Sequence, residues 1–357
     1  MKISIVGPAH PYRGGLAVIM QSMARVFQHR GDEVKIKTFT LQYPRIFFPG
    51  RNQTVQTPPP PDLYIVRCVN TMNPFNWIAV GRWIAREKPD FVLMKYWTPF
   101  MAPCFGTIAR FAKKNGTTRI LCQIDNVEPH ERHMTDKPFN RYFLRAVDGF
   151  IYMSEQVHRE LRRYTQVPAI FSPHPLFENF GIVIDRTEAC IRLELDPSKR
   201  YALFFGLIRD YKGLDLLLDA WKIYKREHPA EDRRLIVAGE FYAPKEKYLK
   251  QIADNGLADD FVVQPYKTAT QSGVTQIAYQ FDLPMVVTDV GGLPEIVPDG
   301  RVGFVCRPDA AEVARAIDRI WRDDVLAGFR ANMEEEKKRF SWDAMCDRIT
   351  ELYRLVK

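Results

Sequence analysis

The chain is poor in features that define secreted, metal-bound and membrane-spanning proteins. None of its six cysteines forms a CxxC pair, which favours reduced thiols in a cytosolic protein and argues against zinc sites and disulfides. The most apolar region, residues 91–111, is interrupted by two prolines and by Lys95 and Arg110. We therefore expect a strand and a buried helix there instead of a transmembrane span. The segment before Gly7-Pro8 is too short for a signal peptide.

Motifs of several common function classes are also missing. The first glycine turn has neither GxGxxG spacing nor a following Walker lysine, which argues against hydride transfer and ATP hydrolysis. Asp-x-Asp does not occur, so we expect no metal and no other cofactor. No helix-turn-helix, RNA-binding or zinc pattern is present, so nucleic acid is not an expected partner.

Length and composition predict a globular α/β protein. The 357 residues, 46% hydrophobic and 26% charged, suffice for two α/β domains with separate cores. Residues 1–175 carry 24 Lys and Arg against 12 Asp and Glu, whereas the remainder carries 27 against 31. This asymmetry indicates either that the first half faces an anionic membrane or phosphorylated lipid, or that its cations are simply solvated.

The chain opens with a β-loop-α-β unit. A predicted strand at residues 2–6 leads through Gly14-Gly15 into an amphipathic helix at 16–30 and a strand at 33–38. Glycines at this place allow a ligand phosphate or sugar to approach the backbone, although a tight turn alone also explains them.

A long loop is predicted at residues 40–62. Its segment 43–51 alternates aromatic residues with Arg45 and Arg51, which suits a membrane interface or a lipid-bearing substrate. Phenylalanines packed under the domain are the alternative.

A candidate general base follows a later strand. After the strand ending at Gln123, the loop carries His130 close to Asp125, Glu128 and Glu131. Functional groups in α/β enzymes gather at the carboxyl ends of strands, so His130 is either a catalytic base or a structural loop histidine.

Two glycine turns precede helices in the second half. The first contains Thr270, Ser272 and Gly273, and the second contains Gly291-Gly292 and Glu295. Free N–H groups at a helix start suit a phosphate, although ordinary α/β loops use such glycines too. Between them lies the apolar strand 285–287.

A pair of cations lies at another strand-to-helix connection. Arg209 and Lys212 follow the strand 201–205 and precede an amphipathic helix at 214–227. An arginine fork and a lysine charge converging on helix N-termini describe a diphosphate clamp.

The sequence resembles the GT-B fold glycosyltransferases of family 4, which are retaining and use nucleotide sugars. Five segments carry the likeness: GGL at 14–16, FFGLIRDYKGLDLLL at 204–218, QPYKTATQSG at 264–273, TDVGGLPEIVPDGRVGFV at 288–305 and FSWDAMCDRITELY at 340–353.

The resemblance implies two Rossmann-like domains that face each other across a cleft. Residues 1–175 would bind the acceptor and residues 176–340 the donor, with the helix at 341–357 crossing back onto the first domain. Arg209 and Lys212 would bind the donor diphosphate.

The same resemblance implies roles for the glycine turns and for the candidate base. The turns at 268–273 and 291–295 would hold donor sugar and phosphate, Gly14-Gly15 would face the donor, and His130 would lie near the acceptor.

Three features depart from the family pattern. Leu207 follows Gly206 where relatives carry arginine, so Arg209 is taken as its substitute. The Glu-x7-Glu signature is absent, and its second glutamate falls near Gln276 or Ile277. The junction at residues 260–261 is shorter than expected.

The expected activity is retaining transfer of a sugar from a UDP- or GDP-sugar to a lipid-linked or cell-envelope glycan, as in polysaccharide biosynthesis. Because no side chain is an evident nucleophile, we expect same-face attack assisted by the leaving diphosphate. The expected location is cytoplasmic, with peripheral contact to an anionic membrane left open. Two other interpretations remain: a GT-B nucleotide-sugar epimerase and a non-catalytic nucleotide-sugar-binding scaffold.

Overall fold

The computed structural model describes residues 1–44, 53–128, 134–176, 181, 183–206, 208–239, 248, 260–264 and 273–357. Within these ranges the chain forms two compact units. The first comprises Met1–Pro173 together with Trp342–Lys357, and the second comprises His174–Ser341. The first boundary follows Pro173, where the sequence analysis predicted residue 175.

The first unit is built on a seven-stranded parallel sheet in the order β3-β2-β1-β4-β5-β6-β7. Its strands are β1 (Lys2–Val6), β2 (Glu33–Leu41), β3 (Ile65–Asn70), β4 (Phe91–Tyr96), β5 (Arg119–Ile124), β6 (Gly149–Tyr152) and β7 (Ala169–Phe171). The helices between them are α1 (Gly15–His29), α2 (Pro74–Glu87), α3 (Ala102–Ala112), α4 (Asp136–Leu144) and α5 (Glu155–Leu161).

Side-chain alternation along the strands places a core on each face of this sheet. In β4, Phe91 and Leu93 join the cluster that contains α1, whereas Val92 and Met94 join the cluster that contains α3. A parallel sheet buried on both faces needs such continuous apolar strands, and every residue of β4 is buried.

The second unit contains a smaller parallel sheet in the order β12-β11-β10-β8-β9. Its strands are β8 (Arg200–Phe205), β9 (Arg233–Ala238), β10 (Asp260–Gln264), β11 (Met285–Thr288) and β12 (Gly303–Cys306). Its helices are α6 (Arg186–Arg192), α7 (Leu214–Glu227), α8 (Gly273–Gln280), α9 (Leu293–Ile296), α10 (Ala310–Ile320) and α11 (Asp323–Lys337).

The last helix, α12 (Trp342–Val356), belongs to the first unit, as predicted. Arg30 pairs with Asp343 at 2.7 Å and with Asp347 at 2.8 Å. Leu352 is fully buried, and a Cβ atom on Gly149 would lie 2.8 Å from its Cδ1 atom. Glycine at this place in β6 therefore makes room for the helix.

The structure shifts the start of one predicted loop and adds a strand after it. The loop was predicted at residues 40–62, whereas β2 continues to Leu41, and β3 begins at Ile65. β3 was not predicted, although its Ile65-Val66-Arg67-Cys68-Val69 run pairs with β2. Among the helices in the described ranges, none combines the length and the hydrophobicity needed to cross a membrane.

Candidate functional site

The predicted donor residues lie along the carboxyl edge of the second unit's sheet. The chain runs from β8 to β9 on one side and then returns to β10 on the other side of β8. Open α/β sheets bind ligands at such a reversal of strand order. The loops that follow β8 and β10 therefore flank the expected ligand position.

Gly206 ends β8 in a conformation that favours glycine. Its φ angle is 107°, and its N–H donates to the carbonyl of Ala238 at 2.9 Å. A Cβ atom on Gly206 would lie 3.5 Å from Lys212 Nζ and 3.5 Å from Val274 Cγ2. The end of β8, the lysine and the first turn of α8 thus converge at one point.

Arg209 and Lys212 bracket a short 3₁₀ turn, Asp210–Lys212, between β8 and α7. The N–H of Lys212 donates to the carbonyl of Arg209 at 2.9 Å. Gly213 then takes the left-handed conformation, with φ 68°, and α7 begins with no side-chain cap. The turn that carries both cations therefore lies directly before the N-terminus of a 14-residue helix.

The surroundings of Lys212 disfavour its charged form. Burial lowers the pKa of its ammonium group below the usual value of 10.5, and the charge of Arg209 lowers that pKa further, while Tyr211 acts in the opposite direction. An anion bound beside Lys212 would favour its charged form. The two predicted clamp residues are thus close enough to interact.

The sequence analysis did not identify two residues that support this turn, Gly239 and Tyr248. A Cβ atom on Gly239 would lie 1.9 Å from the carbonyl oxygen of Gly206, so glycine is required where β9 ends. Tyr248 is fully buried, and its hydroxyl donates to Asp210 Oδ1 at 2.8 Å. The Ala-Gly pair that ends β9 was the available sequence signal for the first contact.

The first predicted glycine turn is described only from its last residue. α8 begins at Gly273, whereas Thr270 and Ser272 lie outside the described residues. Gln276 in α8 is fully buried, and neither of its amide atoms has a hydrogen-bond partner in the described part of the chain. The sequence analysis placed the second glutamate of the family's Glu-x7-Glu signature near Gln276 or Ile277, and Gln276 is the polar residue of that pair.

The second glycine turn leads into a helix, as predicted, and this helix is short. Gly291 has φ 55°, and Gly292 precedes α9, a single turn of four residues. Glu295 is half-buried, and its carbonyl accepts a hydrogen bond from Arg339 at 3.1 Å. Because helix dipole effects grow from aligned peptides, α9 offers backbone N–H groups but little macrodipole.

The first unit has its own glycine turn at the carboxyl edge of its sheet. Gly14 has φ 102°, caps α1 without a side-chain hydrogen bond and leaves open space where a Cβ atom would lie. Gly15 is the first helical residue, and both glycines are exposed. The N–H groups of a 15-residue helix are therefore accessible from the solvent side.

His130 lies outside the described residues, and its role stays a prediction. Two of the carboxylates near it in sequence are described. Asp125 Oδ1 lies 2.5 Å from the Nζ atom of the buried Lys95, and Glu128 pairs with Arg163 at 3.1 Å. Both carboxylates therefore serve ion pairs within the first unit.

The predicted membrane loop is also largely outside the described residues, including Arg45 and Arg51. Tyr43 is described, and its hydroxyl accepts a hydrogen bond from Trp97 Nε1 at 2.7 Å. Burial raises the pKa of Tyr43 to about 12. The start of this segment is thus packed into the domain.

Comparison with known families matches both halves of the chain. Residues 13–171 match the domain described as Glycosyltransferase Family 4. Residues 258–323 match the domain described as Glycosyl transferases group 1.

Similar sequences bear glycosyltransferase names. A D-inositol 3-phosphate glycosyltransferase of Streptomyces bingchenggensis is 26% identical over 78% of this chain and 64% of its own length. A lipopolysaccharide core biosynthesis mannosyltransferase of Rhizobium meliloti is 28% identical over 60% of this chain and 68% of its own. The matches span 64% and 66% of two D-inositol 3-phosphate glycosyltransferases from Streptomyces.

Solved structures share the fold over almost the whole chain. Sucrose-phosphate synthase from Thermosynechococcus elongatus superimposes with a TM-score of 0.70 at 17% identity, covering 99% of this chain and 98% of its own. Anabaena HepE in complex with UDP-glucose gives 0.68 at 15% identity, covering 98% of each chain.

The two parallel sheets and these structural neighbours define a GT-B protein, which confirms the predicted fold class. Residues 13–171 and 258–323 are thus domains of the family 4, group 1 type of glycosyltransferases. Both families and the similar proteins are enzymes.

Proposed function

We propose that the protein transfers a sugar from a UDP- or GDP-sugar to an acceptor hydroxyl. The observation that carries the proposal is the convergence of Gly206, Arg209 and Lys212 at the reversal of strand order in the second unit. Membership of a glycosyltransferase family makes a nucleotide sugar the natural ligand for this cationic turn. Anabaena HepE, which has the same fold, has been solved with UDP-glucose.

In the proposed reaction, Arg209 and Lys212 hold the donor diphosphate. The acceptor oxygen attacks the anomeric carbon on the face from which the diphosphate leaves, so the configuration is retained. The carbon–oxygen bond to the diphosphate breaks, and the leaving phosphate oxygen accepts the acceptor proton. Charge stabilisation by the two cations and by helix N–H groups lowers the barrier.

We propose that the first unit binds the acceptor, with His130 near the acceptor and Gly14-Gly15 facing the donor. The acceptor is proposed to be a lipid-linked or cell-envelope glycan at the cytoplasmic face of a membrane, and the reaction is proposed to need no metal. The Rhizobium meliloti relative, named for lipopolysaccharide core biosynthesis, supports this class of acceptor.

The direct test is a transfer assay with a panel of UDP- and GDP-sugars, each with and without a cell-envelope lipid extract. We expect one donor to be consumed only when the extract is present, and product NMR to show the donor's anomeric configuration. Conversion of the sugar nucleotide without extract would identify an epimerase. Tight donor binding without any turnover would identify a scaffold, and an inverted anomeric centre would refute same-face attack.

A further inference from the structure

A second cationic site lies in the first unit, on the outer face of α3 and α4. It is a surface pocket of about 460 Å³ lined by six residues: Arg110, Lys137, Pro138, Arg141, Tyr142 and Arg145. No carboxylate is among these lining residues. Its volume lies in the range of small-molecule binding sites.

Three of the cations form one stripe along α4 and its C-terminal cap, Arg145. Lys137, Arg141 and Arg145 follow each other at four-residue intervals, so they lie on one helix face over roughly 12 Å. All three are exposed, and none forms an ion pair with a described residue. Because like charges at this spacing destabilise a helix, folding alone does not explain the stripe.

The fourth cation, Arg110, is held in place by hydrogen bonds and by a contact with an aromatic ring. Arg110 donates to the carbonyls of Gly106 at 2.8 Å and Tyr142 at 2.6 Å, and its guanidinium carbon lies 3.9 Å from the centre of the Tyr142 ring. The Tyr142 hydroxyl shares a hydrogen bond of 2.9 Å with Thr107. This framework holds α3 and α4 together as the floor of the pocket.

The absence of a side chain at Gly106 allows Tyr142 and the Arg110 side chain to pack closely over this position of α3. A Cβ atom on Gly106 would lie 2.6 Å from Tyr142 Cε1, closer than real contacts permit, and 3.0 Å from Arg110 Nη1, a tight contact. The pocket thus combines a fixed arginine–tyrosine floor with a rim of cations that have no acidic partner among the described residues.

We propose that this α3–α4 pocket binds a ligand that carries two or more phosphate groups, at a site separate from the donor diphosphate. Arginine forks match phosphate oxygens in pairs, and a single monovalent anion would leave most of the four cationic charges unbalanced. The phosphates belong either to a soluble molecule or to lipid headgroups. The proposal is independent of the sugar-transfer function.

The test is calorimetric titration of the full chain with inorganic pyrophosphate at low salt, with every variant carrying Lys212→Met so that the donor turn contributes little. The double change Arg141→Gln and Arg145→Gln should weaken binding by roughly tenfold or more. Arg159→Gln is the matched control, because Arg159 is an exposed arginine on α5 outside the pocket. It should leave the affinity unchanged.

A variant that changes the shape of the pocket but keeps all of its charges tests whether binding depends on geometry or only on net charge. Gly106→Ala should displace Tyr142 and Arg110 and weaken pyrophosphate binding, with thermal unfolding confirming that the variant is folded. Equal affinity in the parent, the double variant and the control would overturn the proposal. So would an equal loss in the double variant and in Arg159→Gln, because that result would reflect net charge alone.

Vesicle pelleting distinguishes the two sources of phosphate. Binding to phosphatidylglycerol vesicles, lost in the double variant and accompanied by pyrophosphate binding, would assign the pocket to lipid headgroups. Pyrophosphate binding without vesicle binding would assign it to a soluble phosphorylated ligand. Vesicle binding without any pyrophosphate binding would contradict the pocket assignment, because a flat membrane contact would then suffice.

Discussion

Each unit holds a shielded lysine near the reversal of strand order in its sheet, and the two lysines differ in how their charge is balanced. Lys95 of the first unit is fully buried, and its Nζ atom lies 2.5 Å from Asp125. Lys212 of the second unit has a pKa lowered by burial and by Arg209. The first lysine is paired with a carboxylate at the end of a neighbouring strand, whereas burial lowers the pKa of the second and disfavours its charged form. A pKa shift of this kind is typical of binding sites.

The largest expected effect comes from breaking the balanced pair. Lys95→Met should lower the free energy of unfolding by about 3–5 kcal/mol, because Asp125 would lose the positive charge that lies 2.5 Å away in a mostly buried place. Urea unfolding measures this loss. Arg159→Met, at an exposed position, should stay within about 0.5 kcal/mol of wild type. A loss below 1 kcal/mol for Lys95→Met would show that water balances Asp125 equally well.

Replacing the glycine at the start of each turn, Gly14 in the first unit and Gly206 in the second, should have an effect of intermediate size. Gly14→Ala and Gly206→Ala both force a side chain into a conformation with φ above 100°, so each should cost about 1–3 kcal/mol of stability. Their ligand effects should differ, because only Gly206 lies beside Lys212. Nucleotide affinity, measured by calorimetry, should fall more in Gly206→Ala than in Gly14→Ala.

Gly328 offers a control for the general effect of adding a methyl group. It lies within α11, and a Cβ atom there would meet no atom within 4 Å. Gly328→Ala should therefore raise stability by up to about 1 kcal/mol. Equal loss of nucleotide affinity in Gly14→Ala and Gly206→Ala would contradict the distinction between the two turns.

The smallest expected effect is the pH dependence of stability. Because the folded-state pKa of Lys212 is lowered, the unfolded chain binds more protons between that pKa and 10.5. The contribution of Lys212 to stability should therefore rise with pH across this window and be least favourable below it. Urea unfolding of wild type and Lys212→Met across this range should show the wild type gaining stability relative to the variant as pH rises. The opposite trend would mean that the folded protein favours the charged form of Lys212.

The sequence predicts local features of both units well and long-range ones poorly. The amphipathic period of residues 214–227 predicted α7 with the bounds that the structure gives, and the strand-turn-helix pattern placed Arg209 and Lys212 at its start. The Lys95–Asp125 pair and the contact of Gly239 with Gly206 depend on which strands become neighbours. Spacing along the chain does not encode those pairings.

The α3–α4 pocket illustrates the same limit. The spacing of Lys137, Arg141 and Arg145 is visible in the sequence, but Arg110 joins them only because α3 packs beside α4. Likewise, β3 follows a proline-rich segment and is stabilised by pairing with β2, so local pattern alone did not distinguish it from the preceding loop.

The most direct test of the central claim is calorimetric titration of wild type and Lys212→Met with UDP, GDP and ADP. We predict selective binding of UDP or GDP, weakened roughly 10- to 100-fold in the variant because a charged hydrogen bond to the diphosphate is lost. Lys114→Met, an exposed lysine of the first unit, should bind like wild type. Unchanged affinity in Lys212→Met, or no binding of any nucleotide to the folded wild type, would contradict the donor site described above.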